Sequence, residues 1–123
     1  MSKILILEKD QNFSSNICEI LELYNYQTQQ CYETHNLLKQ IDDFVPDLLI
    51  LSVSLDQKQS GIELVKKILP DNGLPILFIS DQYLSEIFGN ELKLMNNALI
   101  IYKPFSINQL ISSVKEATTK LIN

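Results

Sequence analysis

The chain has 123 residues, 46% of them hydrophobic and 20% charged, with 15 acidic residues against 10 basic ones and a net charge of −5. This length suits one domain, spanning 1–123, whose own core needs neither disulfides nor a structural metal. Every basic residue is a lysine. Acidic charge without arginine excludes the usual footprint for DNA, RNA or anionic lipid, so any role in nucleic-acid control would be indirect.

The first apolar run, Ile4 to Leu7, stops at Glu8. It is too short for a signal peptide or a membrane span, which points to a cytoplasmic protein. Further runs cover Leu48 to Leu51, Ile76 to Ile79 and Ala98 to Tyr102. All are continuous rather than alternating, as expected of strands buried on both faces of a parallel sheet. A polar fifth strand, Gln27 to Cys31, reads as an edge.

Helical stripes fill the intervals. Phe13, Ile17, Ile20, Leu21 and Tyr24 follow Asp10 and Asn12 as possible caps, and Leu37, Leu38, Ile41 and Phe44 end before Pro46. Val53 to Ser60 reads as a polar loop closed by Gly61, after which Ile62, Leu64, Val65, Ile68 and Leu69 form a third helix. Leu84, Ile87, Phe88, Leu92 and Met95 outline a fourth helix, interrupted by Gly89. Ser106 caps a fifth, with Ile107, Leu110, Ile111, Val114, Ala117 and Leu121 as its stripe. Strict alternation predicts an α/β fold: a flavodoxin-like, doubly wound (βα)5 sandwich with a five-stranded parallel sheet and helices on both faces.

Cys18 and Cys31 lack C-x-x-C spacing and His35 is the sole histidine, so a Cys/His zinc site is excluded and the thiols read as buried and free. No metal and no cofactor is expected. A flavin would need a glycine- or hydroxyl-rich phosphate loop after the first strand, where Glu8 to Phe13 offers carboxylates and no glycine.

In doubly wound sheets function gathers at the carboxyl ends of the strands. That selects Glu8, Lys9 and Asp10, then Ser52, then Ser80 and Asp81, then Lys103 and Pro104. The motifs "PDLLIL" at 46 to 51, "LPILFIS" at 74 to 80 and "YKPFSINQLISSVK" at 102 to 115 resemble response-regulator receiver domains in order and spacing.

The resemblance implies an aspartate nucleophile after the third strand, an acidic pair after the first that helps hold Mg²⁺, and a phosphate-contacting lysine on the fifth. A carboxylate must attack phosphorus in line while an oxygen-ligated divalent cation neutralises charge on the transferring group. Here Ser52 stands at the nucleophile position and Lys9 at the second acidic position, while Glu8 keeps one carboxylate. A serine hydroxyl is neutral and shorter and needs a general base, and an ammonium at position 9 repels a metal ion.

Asp10 reads as a helix cap and Asp56 as a solvated loop acid. Ser80 matches the small hydroxyl residue of the family, but Ile100 stands where its switch aromatic is expected, with Tyr102 nearby. Lys103 is expected to pair with Glu8 or a backbone carbonyl, and the Lys103–Pro104 bond to be cis, as the resemblance implies.

The expected function is therefore a pseudo-receiver of a two-component or phosphorelay system, not an enzyme, whose degenerate phosphorylation pocket comprises Glu8, Lys9, Asp10, Ser52, Ser80 and Lys103. It would act on a signalling partner: a kinase, an output domain or a second copy bound through the fourth helix, fifth strand and fifth helix. Tyr83, Tyr102 and Phe105 are candidate anchors on that face, with ordinary packing the favoured role for Phe105. The alternatives are a phosphorylatable receiver with a non-standard acceptor, or a receiver segment of a larger regulator or hybrid kinase.

Overall fold

The computed structural model describes residues 2–55, 60–68, 73–81 and 97–120. The predicted fourth helix, the end of the third at Leu69, Asp56 and Tyr83 lie outside the described residues.

The strands are β1 (Lys3–Leu7), β2 (Gln27–Cys31), β3 (Leu48–Ser52), β4 (Ile76–Asp81) and β5 (Ala98–Lys103). They form a parallel sheet in the order β2-β1-β3-β4-β5, with polar β2 at one edge as its composition predicts. Chain direction across the sheet reverses between β1 and β3, which opens a crevice at their carboxyl ends.

The described helices are α1 (Gln11–Leu23), α2 (Leu37–Phe44), α3 (Gly61–Ile68) and α4 (Ile107–Lys120), with a short 3₁₀ turn at Thr34–Asn36. Strand alternation divides the core between the faces. Ile4, Ile6, Leu48, Ile50, Leu77 and Ile79 pack with Ile17 and Leu21 of α1 and Leu110 and Val114 of α4. Leu5, Leu7, Leu49, Leu51, Ile76 and Phe78 pack with Leu37 of α2 and Ile62 and Val65 of α3.

Local chemistry sets the helix ends. Asp10, in extended conformation, accepts the Phe13 amide hydrogen bond at 3.1 Å and caps α1. Val45 ends α2 at φ 52°, because Pro46 disfavours right-handed helix in the residue before it. Ser106 and Gln109 form a reciprocal box at the start of α4: Gln109 N donates to Ser106 Oγ at 3.0 Å and Ser106 N to Gln109 Oε1 at 2.9 Å. Ser106→Ala is expected to cost about 1 kcal/mol, read as a lower urea midpoint with an unchanged slope.

One stretch differs from its sequence reading. The supposedly polar loop from Val53 buries Val53 and Leu55 in the α2/α3 side of the core. The reason is a local fold-back, in which Ser54 and Ser60 make an isolated antiparallel bridge and Gly61 N donates to Val53 O at 2.7 Å.

Candidate functional site

Register places the site's central pair. Leu7 on β1 lies opposite Leu51 on β3, so the next residues, Glu8 and Ser52, come side by side on the face shared with Ile6 and Ile50. Both are buried, and Ser52 Oγ donates to Glu8 Oε1 at 2.7 Å. The other carboxylate oxygen, Oε2, accepts from Asp10 N at 3.2 Å. Glu8 is thus bound on both oxygens, one by a hydroxyl and one by the loop that follows it.

The remaining predicted residues are not all drawn to this pair. Lys9 is exposed between Glu8 and Asp10. Asp10 spends Oδ1 on its cap. Ser80 is buried, but its hydroxyl donates to the Asp81 carbonyl at 3.0 Å, and strand alternation assigns it to the opposite face, with Ile76 and Phe78. Asp81, exposed, is the register partner of Lys103.

Lys103 corrects an expectation. It pairs neither with Glu8 nor with a backbone carbonyl: its ammonium lies over the Phe13 ring, 4.1 Å from the centroid. Phe13 in turn meets Phe105 edge to face, with centroids 6.3 Å apart and planes at 76°. Both rings pack on the α1/α4 side of the core, while Tyr102 is half-buried. The Lys103–Pro104 peptide is cis. Sequence reasoning placed Phe13 only in a core stripe; its place one turn beyond the first strand end, near a strand-end lysine, was the available signal.

The other singled-out residues sit apart from the pocket. Cys18 and Cys31 are free and buried, and burial pushes both thiols up, which keeps them protonated and inert. His35 is exposed, with Nδ1 3.5 Å from Glu33 Oε2. Among the described residues no group of three or more His, Cys, Asp or Glu side chains is arranged to hold a metal ion, and no helix is long and apolar enough to cross a membrane.

A parallel sheet in this order, with polar residues gathered at the carboxyl ends of β1, β3 and β5, is the architecture of a receiver domain. The chain belongs to the response regulator receiver domain family, whose model matches residues 4–115, and is a signalling module of the two-component type.

Among curated relatives it is similar to the nisin biosynthesis regulatory protein NisR of Lactococcus lactis subsp. lactis. Identity is 32% over 114 residues, covering 92% of this chain and 48% of NisR. It is also similar to the transcriptional regulatory protein CpxR of Escherichia coli K12, at 26% over 117 residues, covering 94% of this chain and 48% of CpxR. The chain thus spans about half the length of these relatives.

Among solved structures, the receiver domain of NtrX from Brucella abortus superposes with a TM-score of 0.80 at 24% identity, covering 94% of this chain and 97% of that one. A two-component response regulator from Clostridium difficile gives 0.84 at 22%, covering 100% of each. These likenesses establish the fold.

Proposed function

We propose that this chain works as a pseudo-receiver: a cytoplasmic, non-enzymatic interaction module that keeps the receiver scaffold without an aspartyl-phosphate switch. The observation that carries this reading is the buried hydrogen bond from Ser52 to Glu8. At the end of β3, where the chemistry needs a carboxylate to attack phosphorus, stands a neutral hydroxyl whose proton already serves the neighbouring glutamate.

The donor set also argues against the divalent cation that such chemistry uses. Mg²⁺ is held in near-octahedral geometry by oxygen ligands, typically including one or two carboxylates. Glu8 has both oxygens engaged within the protein, Asp10 has one oxygen in its cap, and position 9 carries an ammonium-bearing side chain. These residues do not fit the ion.

Signalling would then pass through contacts with a kinase, an output module or a second copy. The length of NisR and CpxR, about twice that of this chain, supports an output module in the same polypeptide. Tyr102 is the described residue of the proposed contact face around β5 and α4, through which a second copy would bind, and Tyr83 belongs to the same proposal, whereas Phe105 packs against Phe13 in the core.

Incubation with acetyl phosphate and Mg²⁺, followed by intact-mass measurement, tests the reading. The expected result is no added phosphoryl group. A hydroxylamine-labile adduct would establish an acyl phosphate on a non-standard carboxylate, and a hydroxylamine-stable one a phosphoserine, and either overturns it. Beryllofluoride with Mg²⁺ should likewise leave the amide NMR signals of Glu8, Ser52 and Ser80 in place.

A further inference from the structure

In the pocket, the carboxylate and the ammonium that stand on one face of the sheet ignore each other. Glu8 follows Ile6 and Lys103 follows Ile101, residues that share the α1/α4 side of the core. β3 and β4 stand between β1 and β5, roughly 14 Å of sheet at the usual strand spacing, which an outstretched lysine and a glutamate side chain together just span, and partial burial would weaken the screening of such a pair. Instead Glu8 takes its hydrogen bonds from Ser52 and from the Asp10 amide, and Lys103 goes to Phe13.

The Phe13 ring is a prepared surface. Its backbone is fixed at the first turn of α1 by the hydrogen bond to Asp10, and its side chain is braced by the edge of Phe105 and by the α1/α4 core. The ring face attracts the ammonium electrostatically and its apolar surroundings strengthen that attraction. Lys103 sits immediately before the cis peptide to Pro104, and the Phe105 that braces the ring follows two residues later. Lysine, ring and brace therefore form one continuous contact from the end of β5 to the first turn of α1.

We propose that Phe13 is a positioning residue that withdraws Lys103 from the pocket, so that Glu8 is served by the Ser52 hydroxyl and the Asp10 amide rather than by an ammonium. This rests on and deepens the pseudo-receiver reading: beside the hydroxyl at position 52, the site's lysine is turned to an aromatic partner. Phe13 touches no reacting group. It sets where the charge lies.

The test observes both ends of the contact by NMR, with carbon-13 labelling of the lysine side chains and of the glutamate carboxyl carbons. In the native protein the Lys103 methylene protons next to the ammonium should be shifted upfield by the ring current of Phe13. Lys103→Met should leave the Glu8 carboxyl and Ser52 amide signals unmoved. Phe13→Leu should abolish the upfield shift and Phe13→Tyr should retain it. In the Phe13→Leu background, adding Lys103→Met should now move the Glu8 carboxyl signal, because the released ammonium reaches it.

A merely structural role for Phe13 would not transfer the sensitivity of Glu8 to Lys103 in this way. Unshifted Lys103 methylene signals in the native protein, or a Glu8 signal that already responds to Lys103→Met there, overturns the proposal. A Glu8 signal that stays in place on Lys103→Met in the Phe13→Leu background likewise overturns it, and Phe13→Ile supplies the ring-free background if Phe13→Leu fails to fold. None of the arms involves a phosphodonor, so failure here is distinguishable from failure of the pseudo-receiver reading, which the mass measurement decides.

Discussion

Ser52→Asp is expected to destabilise the protein by about 2–4 kcal/mol at neutral pH, although it restores the residue type that the family uses at the end of β3. The substitution removes the donor that serves Glu8 and places a second carboxylate where the 2.7 Å hydrogen bond now lies. Two unit charges about 4 Å apart at an effective dielectric of about 20 repel by roughly 4 kcal/mol, and relaxation of the longer side chain recovers part of that. The Lys103 ammonium offers no rescue, because it rests on Phe13.

The pH dependence follows from the repulsion. The cost is present while both carboxylates are ionised and is lost on acidification, when one proton shared between them removes the like-charge contact. The difference in urea midpoint between Ser52→Asp and the native protein should therefore narrow from pH 7 to pH 4. Adding Lys9→Asp should make the double variant's midpoint rise with millimolar Mg²⁺, since three carboxylates then converge on one crevice. Only that variant should gain a phosphoryl group from acetyl phosphate. Equal urea midpoints for Ser52→Asp and the native protein at pH 7 would mean that the Glu8–Ser52 bond is open to water.

Elements dominated by burial were legible in the sequence. Continuous apolar runs gave β1, β3 and β4, which are buried almost throughout, and the polar run Gln27 to Cys31 gave the edge strand. The run at β5 reads the same way, yet each of its residues is only half-buried, because hydropathy records side-chain preference and not how completely neighbours cover a strand. The caps at Asp10 and Ser106 were legible because they depend on residues three positions apart.

The site was legible in its membership and less so in its contacts. Strand-end counting found Glu8, Ser52, Ser80 and Lys103. Which of them touch depends on register and on strand parity, and these separate Ser80 from the Glu8–Ser52 pair. Lys103 on Phe13 joins residues from opposite ends of the chain, and a ring in a helical core stripe carries no mark of a cationic partner. The burial of Val53 and Leu55 was hidden for a similar reason: the hydroxyls around them suggest solvent, whereas the Ser54–Ser60 bridge turns the loop inward.

That inward turn makes Gly61→Ala the other substitution with a large expected effect, about 2–4 kcal/mol of lost stability. In a helix, alanine ordinarily gains over glycine by roughly 0.5–1 kcal/mol, so a simple propensity argument predicts the opposite sign. The decisive quantity is distance: a Cβ at position 61 would lie 2.3 Å from the Ser52 carbonyl oxygen and 3.2 Å from Leu51 Cγ. The first of these is a backbone atom at the end of the middle strand, so it cannot swing aside as a flexible side chain would. Relief requires α3 to move away from β3, which loosens the contacts of Ile62 and Val65 with the core and stretches the bond from Gly61 N to Val53 O. Because the clash is with Ser52 itself, the displacement should also reach the pocket. The amide signals of Ser52 and Glu8 should shift in Gly61→Ala while those of β2, at the far edge, stay in place. A urea midpoint equal to or above that of the native protein would show that the β3–α3 connection is looser than this close approach implies.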